Sequence, residues 1–258
     1  MDSPLSVVVY PDAESAKAGA AEEIASVLRS AASVRGQATI ALAGGRTPEG
    51  CYRKLAQRHD FAECWDRVKV FWGDERCVST DAPSSNYRMA KRSLIDEMTG
   101  SPAGIYPMLP FEARQRGDFE RAAERYAETL RDEITERVNG IPSLDLVVLG
   151  IGVDGHTASL FPGDPLIGHD KQWVRLVEAP QEYSPRHRLT LTLPLLSSAR
   201  VVCFLVTGRE KRDVVAEVLR CIRSRSTGTY TKQAAPRYPA AGVFARERLI
   251  FVLDAACS

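Results

Sequence analysis

Short, almost wholly apolar runs alternate along this chain with longer alanine-rich amphipathic stretches, and that rhythm constrains the fold more than any other feature. The apolar runs are Leu5–Tyr10, Ala38–Leu42, Val68–Trp72, Leu144–Ile151, Val174–Val177, Leu189–Leu193, Val201–Val206 and Leu249–Leu253. Several are near-continuous Val/Ile/Leu, the pattern of strands buried on both faces of a parallel sheet rather than half-exposed antiparallel ones. Between them lie Ala13–Ser33, Pro48–Arg58, Asn86–Met98, Asp118–Val138 and Glu210–Arg225, each patterned as a helix with one apolar face. Such alternation predicts βαβ units and a layered, Rossmann-like α/β fold: a mostly parallel central sheet flanked by helices. No repeat or low-complexity linker divides the 258 residues, so residues 1–258 are expected to form one domain near the upper size for a single core. Thr99–Pro110 reads as a Pro/Gly-rich loop and Ser224–Tyr238 as a mobile surface loop.

Charge and cysteine usage narrow the function classes. Thirty-four basic residues stand against 33 acidic ones, a net charge of +1. Nucleic-acid binders carry a basic excess because phosphate neutralisation dominates their affinity, so no nucleic-acid partner is expected and any bound anion is small and locally held. The six cysteines include no C-x-x-C pair, which argues against a structural zinc site. No metal and no cofactor are expected. The start lacks a basic n-region followed by a long apolar stretch, and no apolar run approaches the ~20 residues that span a bilayer. The expectation is a cytoplasmic protein with reduced thiols, no membrane partner and a small-molecule substrate; the sequence does not give an oligomeric state.

In open α/β sheets ligands bind outside the carboxyl ends of the strands, so the residues just past each strand matter most. After the second run comes Ala43-Gly44-Gly45-Arg46-Thr47-Pro48. The glycines allow close backbone approach to a ligand, Thr47 suits an N-cap, and Pro48 suits the first helical position. This is either a plain strand–turn–helix junction or a phosphate site at a helix N-terminus. After the third run, Gly73-Asp74-Glu75-Arg76 is either a charge cluster or a ligand-facing set in which Arg76 offers a guanidinium fork. Ser84-Ser85-Asn86 reads simply as a cap for the next helix.

The fourth run ends in Gly150-Ile151-Gly152-Val153-Asp154-Gly155-His156-Thr157. Imidazole is the natural general base near neutral pH, and a neighbouring carboxylate can orient it; the alternative is a capping Asp beside a half-buried His. The chain has four histidines. His59 follows a helix, His169 lies in a polar loop, and His187 precedes a strand between Arg186 and Arg188. Only His156 sits in a glycine-rich strand-end turn. Arg188, opening the run at 189, and Lys211, in the first turn of a helix, can supply positive charge. A lysine there opposes the helix dipole, so it is either a solvated surface group or a group relieved by a bound anion.

The motifs AGGRTP, FWGDERCVSTDAPSSNY, LVVLGIGVDGHTASLFPG and RLTLTLPLL, with the G-x-x-K of TGREK, together resemble the 6-phosphogluconolactonase branch of the family that also contains glucosamine-6-phosphate deaminases. The resemblance runs over essentially the whole chain and is most specific in the stretch around His156. It implies the glucosamine-6-phosphate deaminase fold and hydrolysis of 6-phospho-D-glucono-1,5-lactone in the oxidative pentose phosphate pathway. It also implies His156 as the catalytic histidine and Arg76, Arg188 and Lys211 as phosphate-contacting groups. The family's usual Ser-Gly-Gly-Ser-Thr-Pro turn departs here to Ala43 and Arg46, so Arg46 either replaces a lost hydroxyl donor or points to solvent. Deaminases resemble D-G-H-I-A-F-N-E, with a glutamate where this chain has Phe161, and tend to carry Asp-Glu-Tyr where it has Asp74-Glu75-Arg76.

The chemistry expected on this basis is simple. His156 activates water while Asp154 holds the imidazole. Gly44, Gly45, Arg46, Thr47, Asp74, Arg76, Arg188 and Lys211 form the substrate and phosphate site, and backbone N–H groups near Gly44 or Gly155 are candidates for the oxyanion. The alternatives are a deaminase-like isomerase and a non-catalytic sugar-phosphate-binding regulator.

Overall fold

A computed structural model describes residues 4–109, 117–167, 171–226 and 237–258. His169 and residues 227–236 of the expected surface loop lie outside the described residues. The elements run β1 (Leu5–Tyr10), α1 (Ala13–Arg35), β2 (Ala38–Leu42), α2 (Arg46–Ala56), α3 (His59–Ala62), β3 (Val68–Trp72), β4 (Asp74–Arg76), α4 (Asn86–Ser93), β5 (Gly104–Ile105), α5 (Phe119–Glu133), β6 (Arg137–Val138) and β7 (Ile141–Pro142). They continue through β8 (Leu146–Leu149), β9 (Val174–Glu178), β10 (His187–Leu191), α6 (Leu193–Ser197), β11 (Val201–Val206), α7 (Arg212–Ser226), α8 (Pro239–Gly242) and β12 (Arg248–Asp254).

Seven strands form one parallel sheet in the order β1-β12-β11-β8-β2-β3-β5. The Val/Ile/Leu runs at β8 and β11 are buried at every position, as a sheet covered on both faces requires. Helix α1 starts where Asp12 accepts a hydrogen bond from the Ser15 N–H at 2.7 Å and stops at Gly36, whose φ of 77° suits the left-handed C-cap. Its buried face, Ala16, Ala20, Ile24, Leu28 and Ala32, lies over the sheet. Among the described residues no helix is long and apolar enough to cross a membrane.

Two of the apolar runs leave the central sheet. β9 and β10 pair antiparallel with each other, and β10 pairs with β4, in a separate three-stranded sheet. Residues 179–186 connect β9 to β10, a span too short for the helical crossover that parallel neighbours need. The run expected at Leu189–Leu193 therefore becomes His187–Leu191, with α6 starting at Leu193. The two sheets meet at Gly73, whose N–H donates to Leu42 O at 2.9 Å and whose carbonyl accepts from the Leu191 N–H at 2.8 Å. The helix expected over Asp118–Val138 ends at Glu133, where Ile134 takes an extended conformation, and Asn139 (φ 50°) with Gly140 (φ 82°) then make the turn of the β6–β7 hairpin. The loop expected at Thr99–Pro110 contributes the edge strand β5.

Candidate active site

The chain leaves β2 through α2 toward β3 on one side of the sheet, whereas β8 leads on to β11 on the other. β2 and β8 are neighbours, so their carboxyl ends open at a topological switch point, the place where α/β sheets leave a crevice. A cavity of about 190 Å³ lies there. Ala43 and Gly44 follow β2, Asp74 and Arg76 belong to β4, Gly150 to Gly152, His156 and Ala158 follow β8, Arg188 sits on β10, and Lys211 follows β11.

The turn after β8 is held by its own hydrogen bonds. The Gly152 N–H donates to His156 O at 2.8 Å, the Gly155 N–H to Gly152 O at 3.0 Å, and the Thr157 hydroxyl to Gly150 O at 2.8 Å. Gly155 has φ 87°, a conformation that favours glycine. A Cβ on Gly152 would meet His156 Nδ1 at 2.0 Å and Asp154 Oδ1 at 2.6 Å, so the side-chain pair needs the bare backbone beneath it. His156 Nδ1 stands 2.6 Å from Asp154 Oδ1, which also accepts from the His156 backbone N–H at 3.0 Å. Burial pushes the Asp154 carboxyl up, but the His156 side chain and backbone outweigh it and hold the group at about 2. Asp154 is therefore an anionic acceptor at neutral pH, which favours the Nδ1–H tautomer of the imidazole. Because the Gly155 N–H is used inside the turn, that residue does not supply the expected oxyanion donor.

Opposite this pair lie the cations. Arg188 is 5% exposed; burial lowers its pKa, with the charge of Asp74 pulling the other way. Its Nε donates to Pro185 O at 3.0 Å, and its guanidinium lies 5.8 Å from the Phe161 ring centre. Burial likewise lowers Lys211, against the charges of Glu210 and Asp154. Arg76 donates through Nη1 to Asn86 Oδ1 and to Ser84 O, while its Nε is a buried donor without a partner among the described residues.

Asp74, expected on the substrate, is committed to the protein: it accepts from Asn86 Nδ2 at 3.0 Å and from the Ser159 hydroxyl at 2.7 Å. Neighbouring Glu75 accepts from the backbone N–H groups of Arg76, Asn86 and Tyr87 and from the Ser85 hydroxyl. Burial raises its pKa and those N–H groups oppose the rise. Ser85 caps α4 by accepting from the Arg88 N–H, as expected. Asn86 does more than the sequence suggests: it bridges Asp74 and Arg76, and a Cβ on Gly44 would meet its Oδ1 at 1.8 Å. That close approach explains Gly44. No sequence signal separates Asn86 from an ordinary first helical residue.

The glycine turn only partly joins the site. Gly44 lines the cavity, whereas Gly45 and Arg46 are exposed and do not; Arg46 points to solvent rather than replacing a lost donor. Thr47 is not the N-cap. Helix α2 starts at Arg46 with Gly45 as its cap residue, which moves Thr47 inside the first turn, where its hydroxyl bonds that of Thr207 at 2.9 Å. His59 is exposed, and His187 stacks on Phe119 at 6.3 Å. Two aromatic residues that the sequence does not mark as part of the site pack on His156: Phe161 at 4.7 Å and Tyr183 at 5.2 Å between ring centres. Among the described residues no group of three His, Cys, Asp or Glu side chains could hold a metal ion.

Residues 11–251 match the family described as glucosamine-6-phosphate isomerases/6-phosphogluconolactonase. A 6-phosphogluconolactonase from Synechocystis is 38% identical over 221 residues, 85% of this chain and 83% of the relative. The solved 6-phosphogluconolactonase from Trypanosoma brucei superposes with a TM-score of 0.80 at 28% identity, covering 100% of this chain and 98% of that one. A monomeric glucosamine-6-phosphate deaminase, at 19% identity, 98% coverage of both chains and a TM-score of 0.77, shares the fold.

Proposed function

The chain belongs to the glucosamine-6-phosphate isomerase/6-phosphogluconolactonase family, and we propose that it hydrolyses 6-phospho-D-glucono-1,5-lactone to 6-phospho-D-gluconate, with His156 as the base. The observation that carries this reading is the convergence of one His–Asp pair and three cations, Arg76, Arg188 and Lys211, around a single small cavity. Like charges gathered in one partly buried place favour an anion between them. A phosphate bound there anchors the sugar and leaves its far end, the lactone carbon, for His156.

A lactone is already an activated ester, so the reaction needs positioning and one proton relay. Water attacks C1 as its proton passes to His156 Nε2, and the carbonyl electrons move onto oxygen. Collapse of that oxyanion breaks the bond from C1 to the ring oxygen, which takes the proton back from His156. Asp154 stabilises the intervening imidazolium and keeps its orientation. Phe161 supports a lactonase over a deaminase: the position that would carry a glutamate is an aromatic ring packed on His156 and 6% exposed. The same reading takes residues 1–258 as one catalytic domain and places it in the cytoplasm, where six unpaired thiols are at home.

Adding the protein to freshly made lactone and following lactone loss by NMR tests the reading, with ammonia release from glucosamine-6-phosphate as the parallel assay. Lactone loss no faster than the spontaneous rate, or ammonia release, overturns it.

A further inference from the structure

We propose that Ser159 is a positioning residue: it docks the turn carrying His156 onto the sheet face that presents Arg76 and Arg188, and so fixes the base relative to the anion clamp. The inference rests on the lactonase reading above.

The β4–β10 pair sets Arg76 opposite Arg188 and Asp74 opposite Thr190. Side chains two apart on a strand share a face, so these four residues form one patch, the arginines at one end and Asp74 with Thr190 at the other. Ser159 sits on the second pair. Its hydroxyl donates to Asp74 Oδ2 at 2.7 Å, and its N–H donates to Thr190 Oγ1 at 3.1 Å. Ser159, Asp74 and Thr190 are all buried. The other oxygen of Asp74 accepts from Asn86 Nδ2 at 3.0 Å, and Asn86 Oδ1 accepts from Arg76 Nη1. Three hydrogen bonds thus run in line from Ser159, through one carboxyl and one amide, to the guanidinium of Arg76.

The base needs this docking because its own turn does not provide it. The bonds within residues 150–157 hold His156 to Asp154, but none reaches β4 or β10. On its other side the turn is tied to α8, where the Ala240 N–H donates to Gly155 O at 3.1 Å; that tie leaves the distance to the arginines open. Among the described residues, both hydrogen bonds from residues 150–160 to the β4–β10 pair are made by Ser159. The link from Ser159 back to His156 is short and tightly turned: the Leu160 N–H donates to Thr157 O at 2.9 Å, and Ala158 takes φ 48°.

The arginines, by contrast, are held without Ser159. Arg76 keeps Asn86 and Ser84 O, and Arg188 keeps Pro185 O. Removing the hydroxyl leaves a buried carboxyl oxygen short of its donor, which loosens the turn and spares the clamp. With the phosphate end of the substrate still anchored, a displacement of the base by ~1 Å is enough to cost about 10²-fold in rate.

The test is Ser159→Ala, read three ways. Affinity for inorganic phosphate, from its effect on thermal unfolding, should stay within about twofold of the parent. In lactone hydrolysis kcat should fall roughly 10- to 100-fold while KM stays within about threefold. Amide hydrogen exchange should quicken about 10-fold or more at residues 158–160 and stay unchanged in β8. Should Ser159→Ala not fold, Thr190→Val, which removes the acceptor of the second bond, is expected to show the same pattern. An unchanged kcat overturns the proposal, as does a loss of phosphate affinity that matches the loss of kcat, the mark of a general loosening. If the parent neither binds phosphate nor hydrolyses the lactone, the reading of function fails separately, and the exchange rates still decide whether Ser159 fixes the turn.

Discussion

Arg76 and Arg188 stand directly opposite each other across the β4–β10 pair. Like charges at facing positions of adjacent strands weaken a sheet, and these guanidinium groups share the wall of one small cavity. Asp74 offsets part of the repulsion, but its oxygens are already committed to Asn86 and Ser159. The fold tolerates the juxtaposition where an anion can relieve it.

Inorganic phosphate should therefore raise the melting temperature of the protein in a concentration-dependent way, as any ligand of the native state does. Arg188→Ala should abolish that rise and increase the KM for lactone roughly 30-fold or more, the equivalent of the ~2 kcal/mol lower bound for truncating one partner of a buried charge pair. Differential scanning fluorimetry with and without phosphate checks the first part, and initial rates check the second. A phosphate-induced rise that survives in Arg188→Ala counts against the clamp.

His156→Ala should cut kcat by about 10²- to 10⁴-fold, the usual worth of a positioned general base, with KM nearly unchanged. Lactone loss at saturating substrate is the measurement. Turnover near the parent rate would remove His156 from the mechanism.

Gly152→Ala should behave like a damaged dyad on an intact fold. The new Cβ would fall 2.0 Å from His156 Nδ1, so the imidazole must move away from Asp154. Since geometry errors of ~1 Å can cost 10²-fold in rate, kcat should drop steeply while circular dichroism stays that of the parent.

Acid stability should carry the signature of Asp154. Its folded-state pKa, about 2, lies below the ordinary 3.8. The unfolded chain therefore binds a proton more readily than the folded one, and the contribution to stability is complete above about pH 4 and lost as pH falls toward 2. Asp154→Asn should be less stable than the parent at pH 6, with a gap that narrows between pH 4 and 2 in urea titrations. A gap that stays constant through that window would show that the carboxylate is not held down in the folded state.

Strands buried on both faces leave an unbroken apolar record in the sequence: β2, β3 and β11 have the bounds the sequence predicts, as does the more exposed edge strand β1. His156, Arg188 and Lys211 are legible because each lies close to the end of such a strand. The features that escape have a common physical cause. β4 is Asp-Glu-Arg, polar in composition, and becomes a strand only because β10 arrives beside it from far along the chain. Asn86 bonds Asp74 and Arg76, and Tyr183 packs on His156, partners distant in sequence in each case. Local pattern records burial and turns; it does not record which loop will lie against which. Thr47 fails as a cap for a smaller reason, since the glycine before Arg46 takes the cap position two residues earlier.

The union of β2 with β8 runs through Ile40↔Leu146 and Ala41↔Val147. Walls of the cavity come from segments on both sides of that seam, from Ala43 to Lys211. A cut between β4 and β8 divides the site: an amino-terminal piece would keep Arg76 without His156, and a carboxyl-terminal piece would keep His156 without Arg76. Two such halves expressed together should regain activity only when this seam re-forms, which would make turnover a direct report on whether the two have rejoined.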